Sequence, residues 1–475
     1  TIGAALPLGL AWHLLAMPAG GVAWLGPSWG RLAGADLTCL LRADALSGWL
    51  VNLTCWLGCA AVWTSWRNQS DRDARIQTAL ALTLQSALTL VFLAGDLISF
   101  VIGFEAALVP PLIGALRLGG AEGRAAGMRF LAYMATGSAL LLTAVVILIA
   151  RGQAGLIADL PQAVRHLGPG EARACFVLLV AALAFKLPLL GLHAWQAPLY
   201  ACLPAGLAVL VTGGLAKVAV YGLLRLVLPA FPAEWLAARP WLLGLGLATV
   251  LGAGLMAAVE TSARRVLAYL SLSHLGLMAM ALAAGGATAL GGVAAQMLGH
   301  GLAMGALFAL AGATLAGRPS ADLGRQGGLI RREPLLAVLT VLAALAAVGV
   351  PPNLGFVGEF LMIVGLVQAL GAGPSGVLLA AGGGLSLVLA VVAMTRYLRT
   401  MVFHDDPEPS SAPATSAPTC PNITTASSSS PARSRARSWR PCRRSGSTSP
   451  SSMPSRPTGA ATCCCGASSE SRRKR

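Results

Sequence analysis

Four ionisable side chains lie where a lipid-buried segment has no ordinary use for charge: Glu105 in FVIGFEAALVPP, Lys186 in ALAFKLPLLGLHAW, Lys217 in TGGLAKVAVYGLLRL and Glu359 in VPPNLGFVGEFLMI. A charge at the centre of a bilayer costs about 2.5–3.5 kcal/mol on insertion scales, so each one asks for a partner and a task. The lysines narrow the task. The chain has only three, Lys186, Lys217 and Lys474, and every basic residue in its loops is Arg. Lys differs from Arg in that a buried Lys can give up its proton. Two mid-membrane lysines therefore read as proton carriers, the alternative being static partners that hold helices together.

Backbone context agrees. Pro110 and Pro111 free carbonyls near Ala106 and Ala107 beside Glu105, Pro188 frees that of Ala184 beside Lys186, and Glu359 follows the break at Pro351 and Pro352. Unpaired backbone at membrane depth is tolerated only inside protein or along a wet cavity, although ordinary proline kinking would explain any one site. His193, seven residues after Lys186, is expected two turns along the same helix face. His300, in AAQMLGHGLAMGALF, is flanked by small residues that permit close helix approach. Either histidine could relay protons near neutral pH or simply be hydrogen-bonded between helices. His274, in RRVLAYLSLSHLGLM, is the weaker candidate, and Tyr269 and Ser273 beside it read as packing residues.

The elements that must position these groups follow from composition. Hydrophobic types make up 56% of the residues and charged types 11%, with a mean hydropathy of +0.72. A soluble domain carries roughly a quarter charged residues, so the membrane is the solvent here. The net charge of +16 invites a nucleic-acid partner, yet more than half of it lies beyond Glu408, in a tail bearing eleven Arg and Lys against Glu408 and Glu470. The apolar body up to Asp406 has no such footprint. Its five cysteines, Cys39, Cys55, Cys59, Cys175 and Cys202, show no metal-ligand spacing, and neither does the tail run Cys463 to Cys465.

Stretches of about 20 apolar residues predict about twelve membrane helices. They fall near Ala4–Leu25, Ala45–Trp66, Thr78–Ala94, Ile98–Leu116, Met128–Ala150, Phe176–Trp195, Pro204–Leu228, Trp241–Val259, Val266–Ala284, Gly291–Gly317, Pro334–Leu370 and Gly376–Val402. Pro334–Leu370 is too long for one straight crossing and reads as one helix broken at Pro351 and Pro352. Counted once, it sorts the arginines. One side collects Arg67, Arg72 and Arg75, Arg117, Arg124 and Arg129, Arg264 and Arg265, Arg318, Arg325, Arg331 and Arg332, then Arg396 and Arg399; the other has fewer, among them Arg31, Arg42, Arg151 and Arg239. The richer side should face the cytoplasm.

Residues 1–403 thus read as one transmembrane domain. The start, Thr1 with no basic n-region, reads as truncated rather than as a secretory signal. From residue 404 the sequence turns to Ser, Pro, Arg, Thr and Cys, a composition expected to be disordered. Out-of-frame translation and a regulatory tail both fit 404–475.

In their order and spacing, LRADALSGWLV, FEAALVP, RFLAYMATGSALLLT, FKLPLLGLHAW with LAKVAVYGLLR, RRVLAYLSLSHLG, QMLGHGLAMGALF and GFVGEF resemble the antiporter-like membrane subunits of respiratory complex I, chain M or subunit four type, from Leu41 to about Phe403. The resemblance implies an all-α polytopic fold with two inverted repeats and broken helices, in a bacterial inner membrane. It implies that Glu105 pairs with Lys186 in one half-channel, that Lys217 passes protons along a central axis with His300, and that Glu359 serves the exit half, with His193 as a further relay. The chain would be a proton-translocating subunit of NADH:quinone oxidoreductase, holding no redox centre of its own. NADH, FMN, iron–sulfur clusters and quinone would belong to partner chains, and its neighbours would be L- and N-type antiporter-like subunits and lipid. Those chains and the related antiporters usually carry Lys where this chain has Glu359. Two departures stand out: Gln196, Ala197, Pro198, Leu199 and Tyr200 replace the family's Leu-Pro-Asp-Ala-His, and the family's first and last spans of fourteen are missing. An Mrp-type cation/proton antiporter subunit and a structural or decayed membrane subunit are the competing readings.

Overall fold

The computed structural model describes residues 21–32, 34–66, 70–318, 320–371 and 373–405. It opens on an antiparallel hairpin, β1 (Val22–Leu32) and β2 (Ala35–Ala43), followed by helices. In order these are α1 (Ala45–Ser65), α2 (Asp71–Leu93), α3 (Leu97–Ala106), α4 (Val109–Leu118), α5 (Gly120–Ala150), α6 (Leu160–His166), α7 (Pro169–Lys186) and α8 (Gln196–Cys202). Next come α9 (Ala205–Leu210), a π-turn (Val211–Leu215), α10 (Ala216–Gly222), a second π-turn (Leu223–Val227) and α11 (Leu228–Ala230). The last are α12 (Pro232–Val259), α13 (Ala263–Ala284), α14 (Ala287–Leu315), α15 (Leu329–Arg332), α16 (Pro334–Ala347), α17 (Leu354–Leu370) and α18 (Pro374–Leu398). Among the described residues nine helical spans are long and apolar enough to cross a membrane, and α16 and α17 are shorter apolar helices.

Each span expected from Ala45 onward is found as helix, but two of them differ from their outlines, and so does the end of the first span, before Ala45. Ile98–Leu116 is two helices that meet at Ala107 and Leu108, before Pro110 and Pro111. Phe176–Trp195 stops at Lys186: Pro188 has no N–H to continue the ladder and holds Leu187 in an extended conformation, φ −84° and ψ 96°. Val22–Leu25, expected to end the first span, pairs instead with Leu40–Ala43, and the register slips where Gly26 and Pro27 interrupt the strand. The rest of that span and the tail beyond residue 405 lie outside the described residues.

Caps fix where the first spans begin. Asp44 accepts from Ser47 N–H while Ser47 Oγ accepts from Asp44 N–H, a reciprocal capping box at the start of α1. Ser70 caps α2. Buried Asp96 caps α3 through Ser99 N–H and also accepts from Leu40 N–H of β2, which ties the hairpin to the bundle.

Element order carries an internal repeat. The spans α2, α3–α4, α5, the broken pair α7–α8, and α9–α11 are followed by α12, α13, α14, the broken pair α16–α17, and α18. Each set has five crossings and the fourth is interrupted, at 187–195 and at 348–353. Five is odd, so the second set starts from the opposite side of the membrane and runs inverted relative to the first. The elements buried on nearly every side are the Ala205–Ala230 span and α13, and they form the centre on which the polar residues converge.

Candidate functional site

Two clusters gather the buried ionisable groups. The first lies where α7 ends against the α3–α4 break. Because Leu108 N–H bonds to the Glu105 carbonyl instead of continuing the α-helical register, the Phe104 carbonyl is left open. Lys186 takes it: Nζ donates to Phe104 O at 3.0 Å and stands 3.2 Å from the centroid of the Phe104 ring, a cation–π contact. Glu105 accepts from Ser138 Oγ at 2.8 Å, and its second oxygen, also buried, has no hydrogen-bond partner. No direct hydrogen bond joins Glu105 to Lys186, though the carboxylate attracts the lysine electrostatically. The end of α7 before Pro188 likewise opens the Phe185 carbonyl, which accepts from Trp195 Nε1 at 3.1 Å.

The second cluster is a buried file across four elements. Lys217 follows the first π-turn, and its Nζ donates to Thr212 O, inside that turn, at 3.0 Å. Such single-turn π segments reorganise the carbonyls of a helix and are frequent at functional sites. Lys217 Nζ is also 2.7 Å from His300 Nδ1 on α14. Glycine makes this approach possible: a Cβ on Gly213 would lie 2.8 Å from Gly301 O, and one on Gly301 would lie 3.0 Å from Gly213 O. The His300 ring meets the His274 ring of α13 edge to face, with centroids 5.4 Å apart. His274 Nε2 is 3.4 Å from Glu359 Oε1 on α17, and the same oxygen accepts from Gln296 Nε2 at 3.1 Å. The other Glu359 oxygen sits over Gly349, in the break between α16 and α17; a Cβ there would be 2.0 Å from it, and φ is +67°. Lys217, His274, His300 and Glu359 are each at most 2% exposed.

The structure therefore brings Lys217, His300 and Glu359 together and sets Glu105 near Lys186. It separates His193. With α7 ending at Lys186, the histidine does not continue that helix face; it lies in the turn before α8, half-buried, with Nδ1 accepting from Gly191 N–H at 3.3 Å. The expected placement two turns along one face is corrected accordingly. His274, the weaker candidate by sequence, occupies the middle of the file. Sequence reading passed over Ser138, Gln296, Gly349 and the carbonyls of Phe104 and Thr212. Gln296 did carry a signal, since it precedes His300 by four residues on an otherwise apolar helix and so shares its face.

This arrangement can hold and move protons. Lys217 and His300 are too close for both to be charged, so the pair can carry at most one positive charge. His300 Nε2 and both nitrogens of His274 are buried without hydrogen bonds.

The chain resembles known proteins in both sequence and fold. The family described as NADH:quinone oxidoreductase/Mrp antiporter, TM, matches residues 94–390, a stretch that includes both clusters. NADH-quinone oxidoreductase subunit M of Rhodobacter capsulatus is 31% identical over 368 residues, covering 74% of this chain and 71% of that protein. Subunit M of Pseudomonas aeruginosa is 31% identical over 340 residues, covering 70% and 67%. Among solved structures, a chain of respiratory complex I from Thermus thermophilus with bound NADH superposes with a TM-score of 0.74 at 31% identity, covering 84% of this chain and 83% of that one. A chain of the Mrp complex from Dietzia has the same fold, with a TM-score of 0.74 at 21% identity, covering 85% and 75%. With its matched stretch spanning more than half the sequence and its relatives aligned over two thirds of their length, the chain belongs to the NADH:quinone oxidoreductase/Mrp antiporter transmembrane family.

Proposed function

We propose that this chain is the M-type proton-translocating membrane subunit of an NADH:quinone oxidoreductase in a bacterial inner membrane, moving protons through its buried polar file while electrons pass elsewhere in the complex. The observation that carries the reading is the run Lys217, His300, His274, Glu359, in which acid and base groups follow one another across the centre of the bundle. A proton held by Lys217 passes to His300 Nδ1 along the 2.7 Å contact. His300 releases its Nε2 proton toward His274, and His274 Nε2 hands a proton to Glu359 Oε1. Gln296 holds that oxygen in line and Gly349 leaves room for the rest of the carboxylate. Lys186, held by the Phe104 carbonyl and attracted by Glu105, is the switchable charge of the first half.

NADH, FMN, iron–sulfur clusters and quinone are assigned to partner chains, since the body carries neither a Rossmann glycine fingerprint nor an iron–sulfur cysteine set. The partners fitting the relatives' names are the other membrane subunits of such a complex, with L- and N-type antiporter-like chains flanking this one. Glu359, in place of the Lys usual in those chains, supports the M-type reading over an Mrp-type antiporter subunit. The discriminating experiment is Lys217→Arg in the assembled complex. Arg keeps the charge but stays protonated, so NADH-driven proton uptake into inside-out vesicles should be lost; uptake equal to the parent would leave the lysine only a static role and overturn the reading.

A further inference from the structure

A cavity of about 510 Å³ opens between α1, α2, α8–α9 and the end of α14. Its wall includes Thr64, Ser70, Asp73, Gln77, Cys202 and Arg264. Arg264 lies on the arginine-rich side of the membrane, as does Ser70 at the start of α2, so the cavity faces the cytoplasm by the positive-inside rule. At about 30 Å³ per water it could hold on the order of fifteen waters. Arg264 Nη1 donates to Ala201 O at 3.1 Å and Leu203 O at 2.9 Å, closing the end of α8.

From the cavity a polar face runs inward along α2. Asp73, Gln77, Ala81, Gln85 and Leu88 follow one another at helical spacing on one side, and Gln77 and Gln85 are 1% and 4% exposed. Twelve residues from Asp73 to Gln85 rise about 18 Å, more than half of a hydrocarbon core about 30 Å thick. Buried side-chain amides at this depth must be hydrogen-bonded, to a neighbouring helix or to water, and two of them one above the other on a single face give α2 a polar stripe that starts at the cavity. The neighbouring helix makes room for the second of them: a Cβ on Gly58 of α1 would lie 2.0 Å from Gln85 Oε1, and the Cys55 thiol hydrogen-bonds Gln85 there. One turn further, Leu88 packs against Gly214 of the π-turn, where a Cβ would be 2.8 Å from Leu88 Cδ1. Lys217 is three residues beyond Gly214. The polar face therefore leads from a cytoplasmic cavity to Leu88, which packs on the π-turn three residues before the central lysine.

We propose that this cavity is the water-filled cytoplasmic mouth of the proton path, and that the Gln77–Gln85 face of α2 carries protons from it past Leu88 to Lys217. The inference rests on the reading of Lys217 as a proton carrier. The glutamines do not titrate; they are positioning residues whose amides orient a file of waters, along which each water accepts one proton and passes on another. Leu88 is the apolar constriction that this file must wet.

Two measurements on the assembled complex in inside-out vesicles, whose cytoplasmic face is outward, decide it. In the first, Gln77→Cys is exposed to a small charged thiol reagent and modification is read on that peptide by mass spectrometry. The new thiol should react, whereas that of Phe92→Cys, beyond Leu88, should not. In the second, Gln85→Leu should lower the proton-to-electron ratio, with proton delivery slowed about tenfold or more, and Gln85→Asn should recover most of it. If Gln85→Leu fails to assemble, Gln85→Met keeps the length without the hydrogen bonds. An unreactive thiol at position 77, or parental pumping in the assembled apolar variant, overturns the proposal. If Lys217→Arg is inactive while Gln85→Leu pumps normally, only the route falls; if Lys217→Arg pumps normally, the reading beneath it falls.

Discussion

Lys217 Nζ stands 2.7 Å from His300 Nδ1, and among the described residues no charged side chain is paired to either of them. A lysine and a histidine bonded in this way inside a bilayer form a site for one proton, because protonating both would place like charges in contact in a poorly screened interior. The next acid, Glu359, lies beyond His274. His274→Phe keeps the ring volume and removes both nitrogens, so it should break the file while leaving the fold in place. Expected are parental assembly and a loss of proton pumping of about a hundredfold, the scale of one positioned acid–base group; pumping assays in vesicles, normalised to complex content, read this directly.

Lys186 should tolerate no replacement, including Arg. Its ammonium fits a single carbonyl and one aromatic face at 3.0 and 3.2 Å, and the wider guanidinium neither fits that geometry nor gives up a proton. Vesicle pumping with Lys186→Arg should be as low as with Lys186→Ala. Parental activity in the Arg variant would show that a fixed charge suffices.

Glu105 and Lys186 act on each other without touching, so their losses should not add. Glu105→Gln should itself cripple pumping, and Glu105→Gln combined with Lys186→Ala should be no worse than the worse single variant. A double-mutant cycle on pumping rates measures this, and additive losses would mean that the two residues work independently.

Gln296→Leu removes the 3.1 Å hydrogen bond to Glu359 and leaves that buried carboxyl short of a donor, a cost of about 1–3 kcal/mol. Gly349→Ala adds a methyl where Glu359 already lies and holds a non-glycine residue at φ +67°, with about 1–2 kcal/mol for the backbone alone. Both should lower the thermal stability of the complex, and Gly349→Ala should also reduce pumping by pushing Glu359 out of line with His274.

Much of the site was legible because charge in an apolar run is a local signal: Lys186, Lys217, Glu105 and Glu359 identify themselves in single strings of sequence. What escaped depends on contacts between distant segments. Gly349 looks like any turn glycine until Glu359 folds over it, and Ser138 gains meaning only when α5 meets Glu105. His193 was misplaced because Pro188 was read as a kink in a continuing helix, whereas it ends one. The hairpin was missed for a related reason. Val22 to Leu25 is as apolar as a membrane span, and only pairing with Leu40 to Ala43 distinguishes it.

On the proposed path protons leave the file through Glu359, and the ratio of protons pumped to electrons transferred reports on that step. Glu359→Gln keeps the size of the side chain and its hydrogen-bonding capacity toward Gln296 but cannot take a proton from His274. In inside-out vesicles oxidising NADH, with quinone reduction followed in parallel, the variant complex should show a lower proton-to-electron ratio than the parent, or should stop both processes together if they are tightly coupled. A fully assembled Glu359→Gln complex with the parental ratio and the parental rate would contradict it.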